Sequence, residues 1–233
     1  GNILPKMVNT FNEIEFTNKR GELISGRETS KAVSVIYYDK EDIEIGNQIS
    51  RNLDVRVVWG GQEAVEAITS LEKTIDATDI IFGPKYSFAI VDCSFLNSEK
   101  SAKTIAQKLA FDISSFEQRG CNSPHTVFVE NGGVIDIETF CDYVGEGLKK
   151  ALRLMPKEKL DSRTTAKILS ARAEYGFTGK VVCSEGTEWT VLFSKEKDGM
   201  AEPCFGRTVF VRQFSKIPDI MGFVNQSHQS VGL

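Results

Sequence analysis

The sequence predicts an α/β protein whose mostly parallel sheet is covered by helices on both faces. Strand-sized apolar runs alternate with amphipathic stretches along nearly the whole chain. Ala102, Ile105, Ala106, Leu109 and Ala110 recur at the i, i+3, i+4, i+7, i+8 spacing of a half-buried helix. Glycine-rich punctuation at Gly60-Gly61 and Gly83-Pro84 separates strand from helix and strand from strand. Such βαβα alternation implies a parallel sheet in a layered domain.

In chain order, 32–38 is β-branched and aromatic and reads as a strand, followed by an amphipathic stretch over 42–52. A second strand is expected at 55–59, and a helix over 62–71 with Ala64, Val65, Ile68 and Leu71 on one face. Strands follow at 79–82 and 88–92, then a helix over 98–110 capped by Asn97 or Ser98. Periodicity stops from Asp112 to Pro124, and the domain crossover is expected there, giving domains 1–115 and 116–233. Beyond it come a strand at 126–129, a helix over 137–153 and a helix over 162–175 ending at Gly176. Strands at 180–183, 189–193 and 208–212 lead to a last helix over 218–226. No internal repeat interrupts this order.

The chain has 233 residues, 41% hydrophobic and 26% charged, which excludes a disordered or fibrous composition and allows a substantial core. The net charge is −4 and no basic stripe stands out, so nucleic acid is not an expected partner. No apolar run approaches the roughly 20 residues of a membrane span, and the N-terminus shows no signal-peptide pattern. The absence of an initiator Met reads as a processed, trimmed or partial chain. Five widely spaced cysteines without a C-x-x-C pair argue against a disulfide framework, and neither His125 nor His228 sits at metal-ligand spacing from one. A reduced cytoplasmic protein without a metal is expected.

Two segments carry chemistry. Val-Val-Trp-Gly-Gly-Gln-Glu-Ala-Val (57–65) is a strand, a glycine pair and a helix start, which lets backbone amides approach a phosphate. It is not a G-x-G-x-x-G fingerprint, and a Gly-Gly turn between strand and helix is more often plain loop chemistry. In Phe111–His125, Cys121 follows a glycine in a polar, aperiodic stretch with Arg119 two residues before it, surroundings that suit a reactive thiol. His125, four residues on, invites a Cys–His pair. Cys93, Cys141, Cys183 and Cys204 read as small hydrophobes.

Taken together, these stretches resemble the acyl-CoA reductase family of bacterial bioluminescence (LuxC-like), within the aldehyde dehydrogenase superfamily. The resemblance rests on Val58-Trp59-Gly60-Gly61, on Phe82-Gly-x-Lys-x-Ser87 running into Ile90-Val-Asp92, and on Phe116-Glu-Gln-Arg-Gly-Cys121-x-Ser123. Pro203-x-Phe-Gly-Arg207 and Asn225-Gln-Ser-His-Gln-Ser-Val-Gly232 extend it to the end of the chain.

The resemblance implies an aldehyde-dehydrogenase-like fold, with 1–115 as part of an NADP-binding α/β domain and 116–233 as a catalytic thiol domain incomplete at its C-terminus. It implies reduction of a long-chain acyl-CoA or acyl-protein thioester to aldehyde by NADPH. Cys121 matches the nucleophile, whose own amide serves the oxyanion. Trp59, Gly60 and Gly61 match the loop at the cofactor pyrophosphate, and Gly83 joins the cofactor-binding set. Where aldehyde dehydrogenases carry the glutamate that hydrolyses the acyl-enzyme, Ile81 stands here, which favours a thioester protected from water. The nicotinamide-ribose carboxylate falls one residue early, at Glu202, and Phe205 packs on the cofactor. The resemblance also implies acyl-transferring partner subunits, a homo-oligomer when full length, and a family chain longer at both ends. The competing expectations are a non-catalytic fragment binding an acyl chain or a partner, and a Cys121/His125 hydrolase or acyltransferase without a nicotinamide.

Overall fold

A computed structural model describes residues 3–232. The chain divides between Ile81 and Phe82 into two compact units.

In the first unit, helix α1 (Ile3–Thr10) and a 3₁₀ turn (Phe11–Glu13) lead into an antiparallel hairpin, β1 (Glu15–Thr17) with β2 (Leu23–Ser25). Its turn is organised by Asn18, whose side-chain oxygen accepts from the amides of Arg20 and Glu22, and by Gly21 at φ +79°. Helices α2 (Gly26–Lys31) and α3 (Ile43–Ser50) follow, the latter capped by Asp42. The expected strand at 32–38 does not form. Val35, Ile36 and Tyr37 are exposed, and no strand among the described residues offers them a ladder. β-propensity without a partner does not make a strand. β3 (Val55–Trp59) and β4 (Thr78–Phe82) form a two-stranded sheet, with α4 (Gln62–Thr69) between them in sequence.

This unit is held by a buried cation. Arg56 on β3 is 4% exposed and grips both carboxylate oxygens of Asp79 on β4, at 2.6 and 2.8 Å. It also donates to Ser50 Oγ and to the carbonyls of Ile68 and Leu71, while Lys73 reaches Asp79 at 2.9 Å. One guanidinium thereby ties α3, the end of α4 and both strands. The bidentate bonds hold the Asp79 carboxyl well below the usual carboxylate range.

The second unit has three layers around a six-stranded sheet ordered β10-β5-β6-β9-β8-β7. Its strands are β5 (Tyr86–Val91), β6 (Pro124–Glu130), β7 (Lys180–Cys183), β8 (Thr190–Phe193), β9 (Thr208–Phe214) and β10 (His228–Gly232). All neighbours are parallel except β7 with β8. α5 (Glu99–Ser114) and α6 (Ile137–Leu154) cover one face, burying Ala106, Leu109, Phe140 and Leu148 against Val127, Val129, Val209 and Val211. α7 (Ser162–Thr178) and α8 (Ile217–Met221) cover the other, where Ile168 and Tyr175 meet Leu192 and Phe210, and Ile220 meets Phe88 and Phe128. Strand residues alternate between the two cores, as a pleated sheet buried on both faces requires.

The domain crossover expected at 112–124 falls inside this unit. β5 and α5 share the sheet and core of β6, so 82–115 fold with the rest of the six-stranded sheet. α7 runs through Gly176 to Thr178. The glycine that matters is Gly179, where a Cβ would lie 2.0 Å from the Phe193 carbonyl oxygen. The last expected helix shortens to Ile217–Met221, and the chain returns as β10 alongside β5.

Close approach of α5 and α6 depends on Gly147, where a Cβ would come within 2.8 Å of Ala110 Cβ and 3.0 Å of the Ala106 carbonyl oxygen. Gly147→Val should therefore destabilise the second unit by about 1–3 kcal/mol through overpacking, and Leu148→Ala by about 2–5 kcal/mol through a cavity, both read from urea midpoints. In the first unit, Asp79→Ala strands the buried Arg56 charge and should unfold at lower denaturant than the apolar double variant Arg56→Met/Asp79→Leu. A double variant less stable than the single one would contradict that account.

Candidate active site

Cys121 lies in the turn between a 3₁₀ segment (Ser115–Gln118) and β6, and its side chain is exposed. Sequence reasoning placed this stretch in an aperiodic loop, and the structure shows what shapes it. Phe116, Glu117 and Gln118 are three consecutive residues at φ +51°, +55° and +60°. Each left-handed non-glycine residue costs about 1–2 kcal/mol, so the run persists only because its surroundings hold it.

Two side chains supply that hold. Gln118 is completely buried, and its amide nitrogen donates to the carbonyls of Pro124 and Thr208 at 3.0 and 2.8 Å. Its oxygen accepts from the Thr208 amide at 2.9 Å. Glu117 pairs with buried Arg207, which also donates to the Met155 carbonyl. Arg207 belongs to a second left-handed run, Phe205, Gly206 and Arg207 at φ +61°, +61° and +56°. Lys157 stitches that segment down by donating to the carbonyls of Thr187, Glu188 and Gly206, and burial pushes its pKa down to about 8. Gln118, Glu117 and Arg207 were not singled out as site residues. Their only signal was membership of the two motifs that hold Cys121 and Phe205.

Phe205 packs edge-on against His125, with centroids 5.1 Å apart, and His125 packs edge-on against Tyr86. His125 is 3% exposed, its Nδ1 has no partner, and burial pushes its pKa down to about 4. It makes no hydrogen bond to Cys121 among the described residues. The Cys–His pair read from the spacing does not form: Cys121 is exposed, while His125 is buried between aromatic rings. A cavity of about 660 Å³ opens beside the loop, lined by Phe116, Glu117, Arg119, Leu160, Phe205 and Gly206. That volume lies within the roughly 300–1,000 Å³ typical of small-molecule sites.

Within the second unit, Glu202 and Gly83 do not line this cavity. Glu202 is exposed, ion-paired with Lys167 at 2.8 Å, and lines a different cavity, of about 520 Å³, with Lys167, Tyr175, Cys204 and Arg212. Trp59, Gly60 and Gly61 belong to the first unit, at the end of β3 and the start of α4, and Trp59 is largely exposed. Gly61 is the N-cap of α4 and offers no side chain to the first-turn amides. A Cβ at Gly61 would meet nothing within 4 Å, whereas at Gly60 it would lie 2.9 Å from Ala64 Cβ. An open backbone ahead of uncapped helix amides fits a phosphate-bearing cofactor, with Glu63 in the first turn as the one unfavourable charge. Gly83, in the second unit, is likewise open, with nothing within 4 Å of a Cβ.

Of the remaining cysteines, Cys141 and Cys204 are buried and their thiols pushed up by desolvation, as small hydrophobes should be. Cys93 is half-buried and pushed up by Glu130. Cys183 is exposed on edge strand β7, which corrects its reading as core filler. All five thiols are free. No helix among the described residues is long and apolar enough to cross a membrane.

Because the pKa of His125 is lower folded than unfolded, the unfolded chain binds the extra proton. Stability should fall as pH drops from about 6.5 toward about 4, by up to roughly 3 kcal/mol. Urea midpoints across that range should show the slope in the native protein and its loss in His125→Phe. An unchanged slope in the variant would assign the effect to other groups.

Comparison with known proteins bears on the fold and the family. Among solved structures, the chain resembles a mutant 1-pyrroline-5-carboxylate dehydrogenase of Thermus thermophilus with a TM-score of 0.54 at 17% identity, covering 78% of this chain and 39% of that one. The fold is aldehyde-dehydrogenase-like. Among curated relatives, the long-chain acyl-protein thioester reductase of Aliivibrio fischeri is 26% identical over 85% of this chain. Long-chain acyl-protein thioester reductase 2 of Photobacterium leiognathi is 29% identical over the same share. The chain spans about 40% of the length of each. Residues 5–233 match the acyl-CoA reductase (LuxC) family, and the chain belongs to that family.

Proposed function

We propose that this chain carries the nucleophile of a reductase that converts a long-chain acyl thioester, on CoA or on a protein, to the fatty aldehyde. The observation that carries the reading is an exposed thiol, Cys121, on a strained loop clamped by Gln118 and Glu117 beside a partly apolar cavity. A reactive thiol needs access and a fixed position, and this loop supplies both.

In this reading the Cys121 sulfur, as thiolate, attacks the acyl carbonyl carbon. The carbon–sulfur bond to the donor breaks, its thiol departs, and the acyl group is held as a thioester on Cys121. The backbone amide of Cys121 donates to the developing oxyanion. A nicotinamide cofactor, NADPH, supplies the hydride when bound. Cys121 then holds the resulting hemithioacetal and leaves as thiolate, releasing aldehyde. Phe116, Leu160 and Phe205 line an apolar side for the acyl chain or the cofactor ring. Gly60 and Gly61, with Trp59 beside them, would hold the cofactor pyrophosphate through backbone amides. Gly83 keeps its place in the cofactor-binding set because its open backbone allows close approach. Glu202 would meet a ribose by exchanging its Lys167 partner.

His125 does not support the hydrolase alternative, because a buried histidine with a lowered pKa and no bond to Cys121 is not disposed to activate water there. In this reading the pyrophosphate contacts come from the first unit, and the thiol and the remaining cofactor contacts from the second. Longer assemblies, with acyl-transferring subunits or further copies, belong to the same proposal.

Incubation of the protein with tetradecanoyl-CoA should add one acyl group, mapped by peptide mass to Cys121 and discharged as aldehyde by NADPH. Cys121→Ala should show neither adduct nor aldehyde above background. An adduct on another residue, or release as free acid, would overturn the reading.

A further inference from the structure

The start of β5 is the crossing point of three chain segments. Lys85 Nζ donates to the Gln226 carbonyl, and the Tyr86 amide donates to the Ser227 carbonyl at 2.9 Å. Immediately after them, parallel pairing is irregular on both sides. On the β6 side the register shifts between Ser87 and Phe88, and on the β10 side between His228 and Val231. The strand register is irregular where β5 passes the Cys121 turn.

The Ser87 side chain lies at that irregularity. Ser87 is 2% exposed. Its hydroxyl donates to the Cys121 carbonyl at 2.6 Å and accepts from the Ser230 amide at 3.2 Å. One hydroxyl thus joins β10, β5 and the residue that carries the thiol. The Gln118 clamp fixes the loop from the β9 side, three residues before Cys121. Ser87 fixes Cys121 itself, from the opposite neighbour of β6 in the sheet.

We propose that Ser87 is a positioning residue for the Cys121 nucleophile, its hydroxyl locking the Cys121 carbonyl to strand β10 so that the thiol holds one orientation toward an acyl carbonyl. This rests on the proposed acyl-transfer role of Cys121. The positioning itself is physically independent of that role, because it concerns the peptide rather than the reaction. A hydroxyl is needed because both a donor and an acceptor must be supplied from one short side chain; alanine supplies neither and valine fills the volume without either.

The test compares Ser87→Ala, Ser87→Val and Ser87→Thr with the native protein, the threonine–valine pair holding shape constant while removing the hydroxyl. Single-turnover acylation of Cys121 by tetradecanoyl-CoA should slow about tenfold in Ser87→Ala and Ser87→Val, the weight of one hydrogen bond. Ser87→Thr should stay within about threefold of native, and half-saturation by the thioester should hardly change in any folded variant. Amide hydrogen exchange over 119–123 should quicken in the alanine and valine variants alone. Native-like acylation and exchange in a folded Ser87→Ala or Ser87→Val would overturn the proposal. If Ser87→Ala and Ser87→Val fail to fold, exchange in the threonine variant and at the Ser230 amide of the native protein decides: an unprotected Ser230 amide overturns it. If native protein gives no Cys121 adduct while iodoacetamide still labels that thiol, the acyl-transfer reading fails, and the exchange comparison judges Ser87 alone.

Discussion

The loop that carries Cys121 depends on the buried carboxamide of Gln118. Three successive left-handed residues cannot persist on their own, and Gln118 offsets their cost by satisfying two carbonyls and one amide in a place closed to water. Because two of those partners belong to Thr208, the loop is fixed to the start of β9, and through it to the second left-handed run at Phe205–Arg207. Glu117 and Arg207 repeat the connection as an ion pair. Two strained segments therefore brace each other, and each would relax without its partner.

That mutual bracing sets the chemistry available at the site. It leaves Cys121 at the surface while placing His125 inside, against Phe205 and Tyr86, where burial keeps the imidazole neutral. Glu117, the carboxylate of the loop, is already engaged with Arg207. Among the described residues no base is hydrogen-bonded to the Cys121 thiol, which is the ground on which acyl transfer is proposed over activation of water. The first unit follows a different logic, with Arg56 and Asp79 replacing a larger apolar core by one satisfied cluster.

Much of the second unit was legible in the residues. The Ala102–Ala110 spacing marks α5, the apolar face with Phe140 and Leu148 marks α6, and Ser98, Asp136 and Asp161 cap their helices as short polar residues do. Elements whose existence depends on partners were not. The segment 32–38 has strand composition but nothing to pair with. β10 has polar, unpromising composition, yet is a strand because β5 offers it an edge. Gly176 reads as a helix end, but Gly179 holds the position where a side chain would strike a neighbouring carbonyl.

By itself the sequence determined the layered α/β class, the aperiodic turn that carries Cys121 and the glycine pair that ends β3. Each of these is written in local periodicity or in residue types that only a few backbone conformations accept. Only the tertiary structure decided where the units divide, that His125 is buried among aromatic rings, that Glu202 pairs with Lys167, that Gln118 bonds Thr208, and that Ser87 bonds the Cys121 carbonyl. These depend on residues up to 143 positions apart meeting across parallel strands, as Ser230 meets Ser87. Local patterns carry no record of such pairings, because a buried hydrogen bond is defined by the partner and the exclusion of water, and both arise when the sheet assembles.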